Sequence, residues 1–325
     1  MATINSLQNN TQSRNTGLAN TYFDPKNIKG AIIVPKGYTI ASTDLATLQT
    51  KLQADIAANN KLARIYPIAN FVDFKDGSEK VVKQTFGYGV SKTVRDGAYT
   101  WTFQFTKGGH TLLQALRAFN GDAWDLFFVD SKNLLMGAKF IDPVSGALGC
   151  QAIPSIDLYT EPFVLNDGKK VADYMINFSF FPEYLNEQAA FISDAAFPIL
   201  DTLKGLKDLN ISGVGSATPG TYRITIQDGM FVNMYGNIAN LSGAGGIAQW
   251  VVTNKLNGGV IPITSITLNP VTQTFDFALP VGNANYPTGT GGDTNILANL
   301  VGPTALVAAA VGYYESTGAA TIAKN

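Results

Sequence analysis

Between Ala98 and Thr106 the chain alternates without error: Tyr99, Trp101, Phe103 and Phe105 on one side, Thr100, Thr102, Gln104 and Thr106 on the other. Successive strand side chains point to opposite faces of a sheet, so this spacing predicts a β-strand with one dry and one wet face. A second segment repeats the plan, with Tyr174, Ile176, Phe178 and Phe180 alternating with Met175, Asn177 and Ser179. Each follows an Asp-Gly pair, Asp96-Gly97 and Asp167-Gly168. Asp-Gly tolerates the positive φ of tight turns, so both strands read as outgoing arms of hairpins. The aromatic sides are expected to be core, packed on a helix or a second sheet, rather than a platform for a sugar ring. The Thr/Gln side suits a wet lumen or a subunit contact, since it hydrogen-bonds without charges to desolvate. An ordinary solvated face fits one such strand equally well.

The rest of the chain sorts around these strands. At 325 residues it suits two domains. Charged residues are 14%, well under the roughly 25% of an average soluble protein, and they are unevenly placed. From Gly205 onward there are four basic and five acidic residues, against 19 and 19 before it. The domain boundary is therefore placed near 203 to 215, between a core at 27–205 and a Gly- and Thr-rich β region at 210–325, with residues 1–26 as a polar arm. A short strand is expected at Ala31–Pro35, and strands at Ile65–Phe74 and Val81–Val90 joined across Asp76-Gly77. Ser42-Thr43-Asp44 offers a cap to an amphipathic helix carrying Leu45, Leu48, Leu52 and Ile56, and Thr111–Phe119 reads as a helix stopped at Asn120-Gly121. Strands follow at Leu126–Val129 and Leu134–Ile141, then a long hairpin made of Ile153–Leu165 and Lys170–Phe181. Beyond Gly205 the strand-like runs are Tyr222–Ile226, Phe231–Tyr235, Trp250–Thr253, Ile261–Leu268 and Thr274–Leu279, the pattern of a small sandwich or barrel. Ile296–Tyr314 is apolar but broken by Asn299 and Gly302-Pro303, so a buried strand or helix is expected there, not a membrane span. Residues 1–25 lack the basic start and apolar stretch of a signal peptide.

Little in the chain points to chemistry. His110 is the single histidine and Cys150 the single cysteine, so no disulfide or multi-histidine metal site can form within one chain, and one cysteine cannot make a zinc site. His110 follows Gly108-Gly109 and reads as a solvent-facing residue at a helix entry; Cys150 reads as a small buried apolar group. Asp122, Asp125 and Asp130 are interrupted by Trp124 and by Leu126–Val129, which spoils a calcium loop and favours turn and cap roles. Gly291-Gly292-Asp293 and Gly243-Ala244-Gly245-Gly246 lack the Lys-Ser/Thr ending of a phosphate loop. No catalytic, cofactor-binding or metal-binding residue is expected, and no enzyme activity. The net charge of −1 weighs against a nucleic-acid groove filled with Lys and Arg.

The order of arm, strands, the 98–106 strand, the helix Thr111–Phe119 and the hairpin across Asn166-Asp167-Gly168, ending in Asp173-Tyr174-Met175-Ile176-Asn177-Phe178-Ser179-Phe180, resembles structural proteins of tailed bacteriophages. Within that group it is most similar to tail tube subunits, including those of contractile injection machines, over about residues 20 to 190. The resemblance implies a mainly β chain with a few helices: a sandwich or barrel core, and at 210–325 an accessory sandwich of the immunoglobulin-like kind. It further implies stacked, usually hexameric rings of the chain itself, whose inner hairpins join into one barrel. Other virion proteins would be partners, passing DNA would be touched only non-specifically, and no membrane would be involved. The expected place is the viral tail, after synthesis in the host bacterial cytoplasm. Alternatives are a tail terminator, baseplate or head decoration protein, or an adhesin that binds glycans or a host surface; a carboxylate-based hydrolase ranks last.

Overall fold

The computed structural model describes residues 2–6, 23–79, 82–89, 91–95, 97–105, 108–122, 124–163, 174–186, 188–193, 195–215, 218–287 and 295–323. Most of the arm, Asp96, the Asn166-Asp167-Gly168 turn and Gly291-Gly292-Asp293 lie outside these residues. The protein is mainly β with few helices, 43% strand against 19% helix among the described residues. It divides into two units, residues 1–56 with 60–205 and residues 57–59 with 206–325.

In the first unit the strands are β1 (Thr3–Ser6), β2 (Ile28–Val34), β3 (Thr39–Ile40), β4 (Tyr66–Ala69), β5 (Phe71–Asp76), β6 (Val82–Thr85), β7 (Ser91–Arg95), β8 (Tyr99–Phe105), β9 (Asp125–Asp130), β10 (Leu135–Ile141), β11 (Leu148–Gln151), β12 (Ile153–Thr160), β13 (Tyr174–Phe180) and β14 (Ala189–Ser193). The helices are α1 (Leu48–Ile56), α2 (Gly109–Arg117), α3 (Glu183–Asn186) and α4 (Ile199–Thr202). One sheet is built on β2, β9, β10 and β14, and another runs β12-β13-β8-β5. They join at two corners. At the first, Ile153 and Pro154 of β12 pair with β9, while from Ser155 onward the strand pairs with β13. At the second, the chain leaves β2 as β4 and joins β8 as β5, turning at Asn70 with φ 68°. Asn is one of the few residues that tolerate that left-handed conformation. The single strand expected over Ile65–Phe74 is therefore two strands serving two sheets.

The alternating aromatics fill the space between these sheets. Trp101, Phe103 and Phe105 of β8 and Ile176, Phe178 and Phe180 of β13 are buried together with Ala31, Ile33, Leu126 and Phe128, and α2 adds Leu113 and Leu116. Phe103 stacks on Phe71 at 4.7 Å, and Trp101 meets Phe180 edge-on at 4.9 Å. Such pairs contribute roughly 0.5–1.5 kcal/mol each beyond the area they bury. β9 is buried along its whole length, because its second face is covered as well. There Tyr38 sets its ring edge-on to Phe127 and donates its hydroxyl to Asp55 of α1 at 2.5 Å. The helix entry differs from expectation: Ser42–Thr47 is a 3-10 turn, and Asp44 reaches back to accept from the Ala41 N–H at 3.1 Å.

The strand expected over Val81–Val90 is instead a reversal. β6 pairs with β7, and the chain turns between them at Tyr88 (φ 78°) and Gly89 (φ 75°). The Gly77 N–H donates to Thr100 O at 2.8 Å and the Glu79 N–H to Ala98 O at 2.9 Å, so the β5–β8 ladder runs on to Glu79 and Ala98; β6 and β7 pair separately as a two-stranded arm. Gly97 sits within this ladder, where a Cβ would run into the Glu79 carbonyl. It is not the second residue of a tight turn.

The second unit holds β15 (Lys207–Gly215), β16 (Thr221–Asp228), β17 (Trp250–Asn254), β18 (Ser265–Asn269), β19 (Thr274–Ala278), β20 (Ile296–Leu300), β21 (Tyr314–Ser316) and β22 (Ala320–Ala323), with α5 (Gly243–Ile247) and α6 (Pro303–Ala308). β15-β16-β19-β18 form one layer and β22-β20-β17 the other, with β15 parallel to β22. Read as successive strands A to G, with β21 set aside, this is the A-B-E-D and G-F-C order of an immunoglobulin-like sandwich. Trp250, on the third strand, is buried and meets Phe277 edge-on at 4.7 Å. Tyr222 and Tyr286 share a buried hydroxyl contact. β15 occupies the stretch read from sequence as the boundary. Phe231–Tyr235 is not a strand but a turn with one bridge, Gln227 to Asn233, and of Ile261–Leu268 only the part from Ser265 is strand. Ile296–Tyr314 breaks into β20, α6 and the first residue of β21, and no helix among the described residues is long and apolar enough to cross a membrane.

Candidate assembly surface

Burying the aromatic side of β8 and β13 turns their polar side outward. Antiparallel register sets it in cross-strand rows, since directly paired residues share a face. One row is Tyr159, Asn177, Thr102 and Lys75; the next holds Asp157, Ser179 and Thr100; a third holds Met175, Gln104 and Asp73. The two central strands thus present Thr100, Thr102, Gln104, Met175, Asn177 and Ser179, all half-buried and none charged. Among the described residues charges stand at the margins: Asp157 and, just past the end of β12, Glu161 on one side, Asp73 and Lys75 of β5 on the other.

The rows are tied together by side chains. Thr100 and Ser179 hydroxyls lie 3.1 Å apart, Thr102 donates to Asn177 Oδ1 at 2.6 Å, and Asn177 Nδ2 donates to Glu161 at 2.9 Å. A face so tied holds its rotamers in place, which lowers the entropy lost when a second surface or a water layer orders against it. β12 has its outer edge closed by the turn after α2. There Asn120 accepts from the Thr160 N–H at 2.7 Å and donates to Thr160 O at 3.3 Å. β5 is the terminal strand of the sheet at the other end.

The chemistry-bearing residues singled out from sequence do not converge. His110 is exposed in the first turn of α2, its ring 4.8 Å from that of Phe163. Cys150 is buried in β11, where burial pushes its thiol up to about 12. Asp130 closes the β9–β10 hairpin by accepting from the Lys132 and Leu134 N–H groups, each at 2.8 Å. Asp125 accepts from the Gly37 N–H at 2.6 Å. Burial raises the pKa of both carboxyls against the lowering effect of those amides. Asp122 is exposed in the turn after α2, and Gly243–Gly246 form most of α5. Among the described residues no three His, Cys, Asp or Glu side chains gather into a cluster that could hold a metal.

Sequence reasoning found the polar face but missed the arm beyond it. The signal was present, because Gly87 and Gly89 flank Tyr88 midway between two β-prone runs, and glycines in a strand pattern mark a break. No protein-family model matches the chain, and a search of curated proteins finds none that matches it.

Proposed function

We propose that the chain is a self-assembling structural subunit of a tailed-bacteriophage particle, a tail tube subunit whose copies close into stacked rings around a conduit for DNA. The observation that carries this reading is the uncharged, internally hydrogen-bonded centre of the β12-β13-β8-β5 face with its charges at the margins. A conduit wall has to stay wet without cations that would hold passing phosphates. A subunit contact has to give up water cheaply, which depletes charge from its centre and leaves charge at the rim. β5, as a terminal strand with Asp73, Lys75 and Asp76 exposed, is the kind of guarded edge that a neighbouring copy can complete. The near-zero net charge offers little repulsion against such self-association.

Light scattering of the purified chain over a concentration series tests the reading. Masses at multiples of 34.7 kDa, converging on one closed ring, are expected. A single mass of 34.7 kDa at every concentration, with and without sulfate to favour burial, contradicts it.

One observation favours a second reading, a surface-recognition module. In the second unit Met230, Phe231 and Val232 are 65%, 72% and 56% exposed. Asp228 Oδ1 clamps their turn by accepting from the Met230 and Val232 N–H groups, each at 2.9 Å. Phe231 is held there at φ 62°, a conformation bulky residues rarely adopt. Glycan-array binding by monomeric full-length chain that is lost in Phe231→Ser would favour this reading over assembly.

A further inference from the structure

The geometry points to the β6–β7 ribbon as a binding element for duplex nucleic acid, contacting phosphates through Lys83 on one face and Lys92 on the other. Residues 80–95 contain Lys80, Lys83, Lys92 and Arg95 and no acidic residue, although the whole chain carries a net charge of −1. The nearest described acids, Asp73, Asp76 and Glu79, lie in β5 and just after it, before the ribbon begins. Charge is therefore separated between β5 and the described part of the ribbon.

Register sorts it across the ribbon too. Lys83 lies opposite Thr93 and Gln84 opposite Lys92. Lys83 thus shares one face with Thr85, Ser91 and Thr93, where the Thr85 and Ser91 hydroxyls meet at 3.0 Å, and Lys92 shares the other with Gln84. The side chains of residues 83–89 and 91–93 are exposed, so this part of the ribbon buries neither face and gains no core packing to hold its sequence. Strands about 4.8 Å apart with side chains on both faces make a ribbon that fits a major groove of about 12 Å. Such a groove has phosphates on both walls, and cations on both faces meet both walls. A flat acidic protein surface would call for cations on one face alone. Gln84, Thr85, Ser91 and Thr93 add uncharged donors for phosphate and base edges. At the tip stand Phe86, 47% exposed, and the fully exposed Tyr88, aromatic groups that can wedge against base steps. Recognition of this kind is electrostatic and independent of base sequence. It needs one copy of the chain and does not rest on the assembly reading.

The test is fluorescence anisotropy of a short mixed-sequence DNA duplex titrated with full-length protein between about 50 and 200 mM salt. Two phosphate contacts, from Lys83 and Lys92, give a slope of log affinity against log salt near −1.8, and the double variant Lys83→Gln/Lys92→Gln is expected to bring it close to zero. Both lysines are exposed, so an unchanged melting temperature should accompany the loss. Absence of binding at about 50 mM salt, or an unchanged slope in the double variant, overturns the proposal. Equal affinity for polyglutamate, or tighter binding of the single strand than of the duplex, overturns it as well. Sedimentation of the same samples keeps the two readings apart, because rings without DNA binding reject only the ribbon, and DNA binding by a monomer rejects only the assembly.

Discussion

Asp130 does two opposed things in the β9–β10 hairpin. Its Oδ1 satisfies two backbone donors, including the buried Leu134 N–H, yet burial of the charged carboxylate raises its pKa. A folded-state pKa above the unfolded value means that the favourable contribution is fully present below the unfolded value and is lost as pH rises through the folded one. Asn keeps the acceptor and removes the charge. Asp130→Asn is therefore expected to gain stability over the wild type as pH rises from 3 to 7, whereas Asp130→Ala loses about 1–2 kcal/mol across the range by orphaning a buried donor. Urea unfolding at both ends of that range measures the two effects. Gly137 makes a second claim at this scale. A Cβ there would lie 2.7 Å from Cys150 Sγ and 2.8 Å from the Phe127 ring, so Gly137→Ala should cost about 1–3 kcal/mol by overpacking, read from the same unfolding curves. Cys150 in the wild type should resist alkylation until the chain unfolds.

At the scale of elements, β8 is a central strand, with β5 on one side and β13 on the other. Thr102 pairs with Lys75 in one and Asn177 in the other. Thr102→Pro is therefore expected to remove a ladder bond within the chain and break the central strand, visible as lost circular dichroism. It reads folding, not assembly. The alternation that placed β8 and β13 was legible because each buries one face only, and their aromatic residues reveal which. β9 was legible as a strand from Leu126–Val129, but its second buried face depends on Tyr38 and α1, which come from distant sequence. The bend at Asn70 went unread because apolar residues run on through it, although the dry side passes from Ile68 to Phe71, three residues on, where one continuous strand would need an even spacing. Of the candidate surface, the uncharged centre could be read from β8 and β13, whereas its charged margins needed the register of β5 and β12. The reversal between β6 and β7 was missed because the described side chains 83–89 and 91–93 are all exposed, which leaves periodicity no buried face to detect.

At the scale of the whole molecule, the second unit carries a complete immunoglobulin-like strand order within residues 206–325. A fragment of those residues is expected to unfold cooperatively with its Trp250 fluorescence buried; a non-cooperative profile would show that residues 57–59 or more of the first unit are needed. Fold alone does not assign function, so the central claim rests on what many copies do together. Electron microscopy of the purified chain, concentrated without any other protein, addresses it most directly. Rings with a central opening, stacking into tubes as concentration rises, are the result this account predicts. Dispersed single particles of monomer size at every concentration would contradict it.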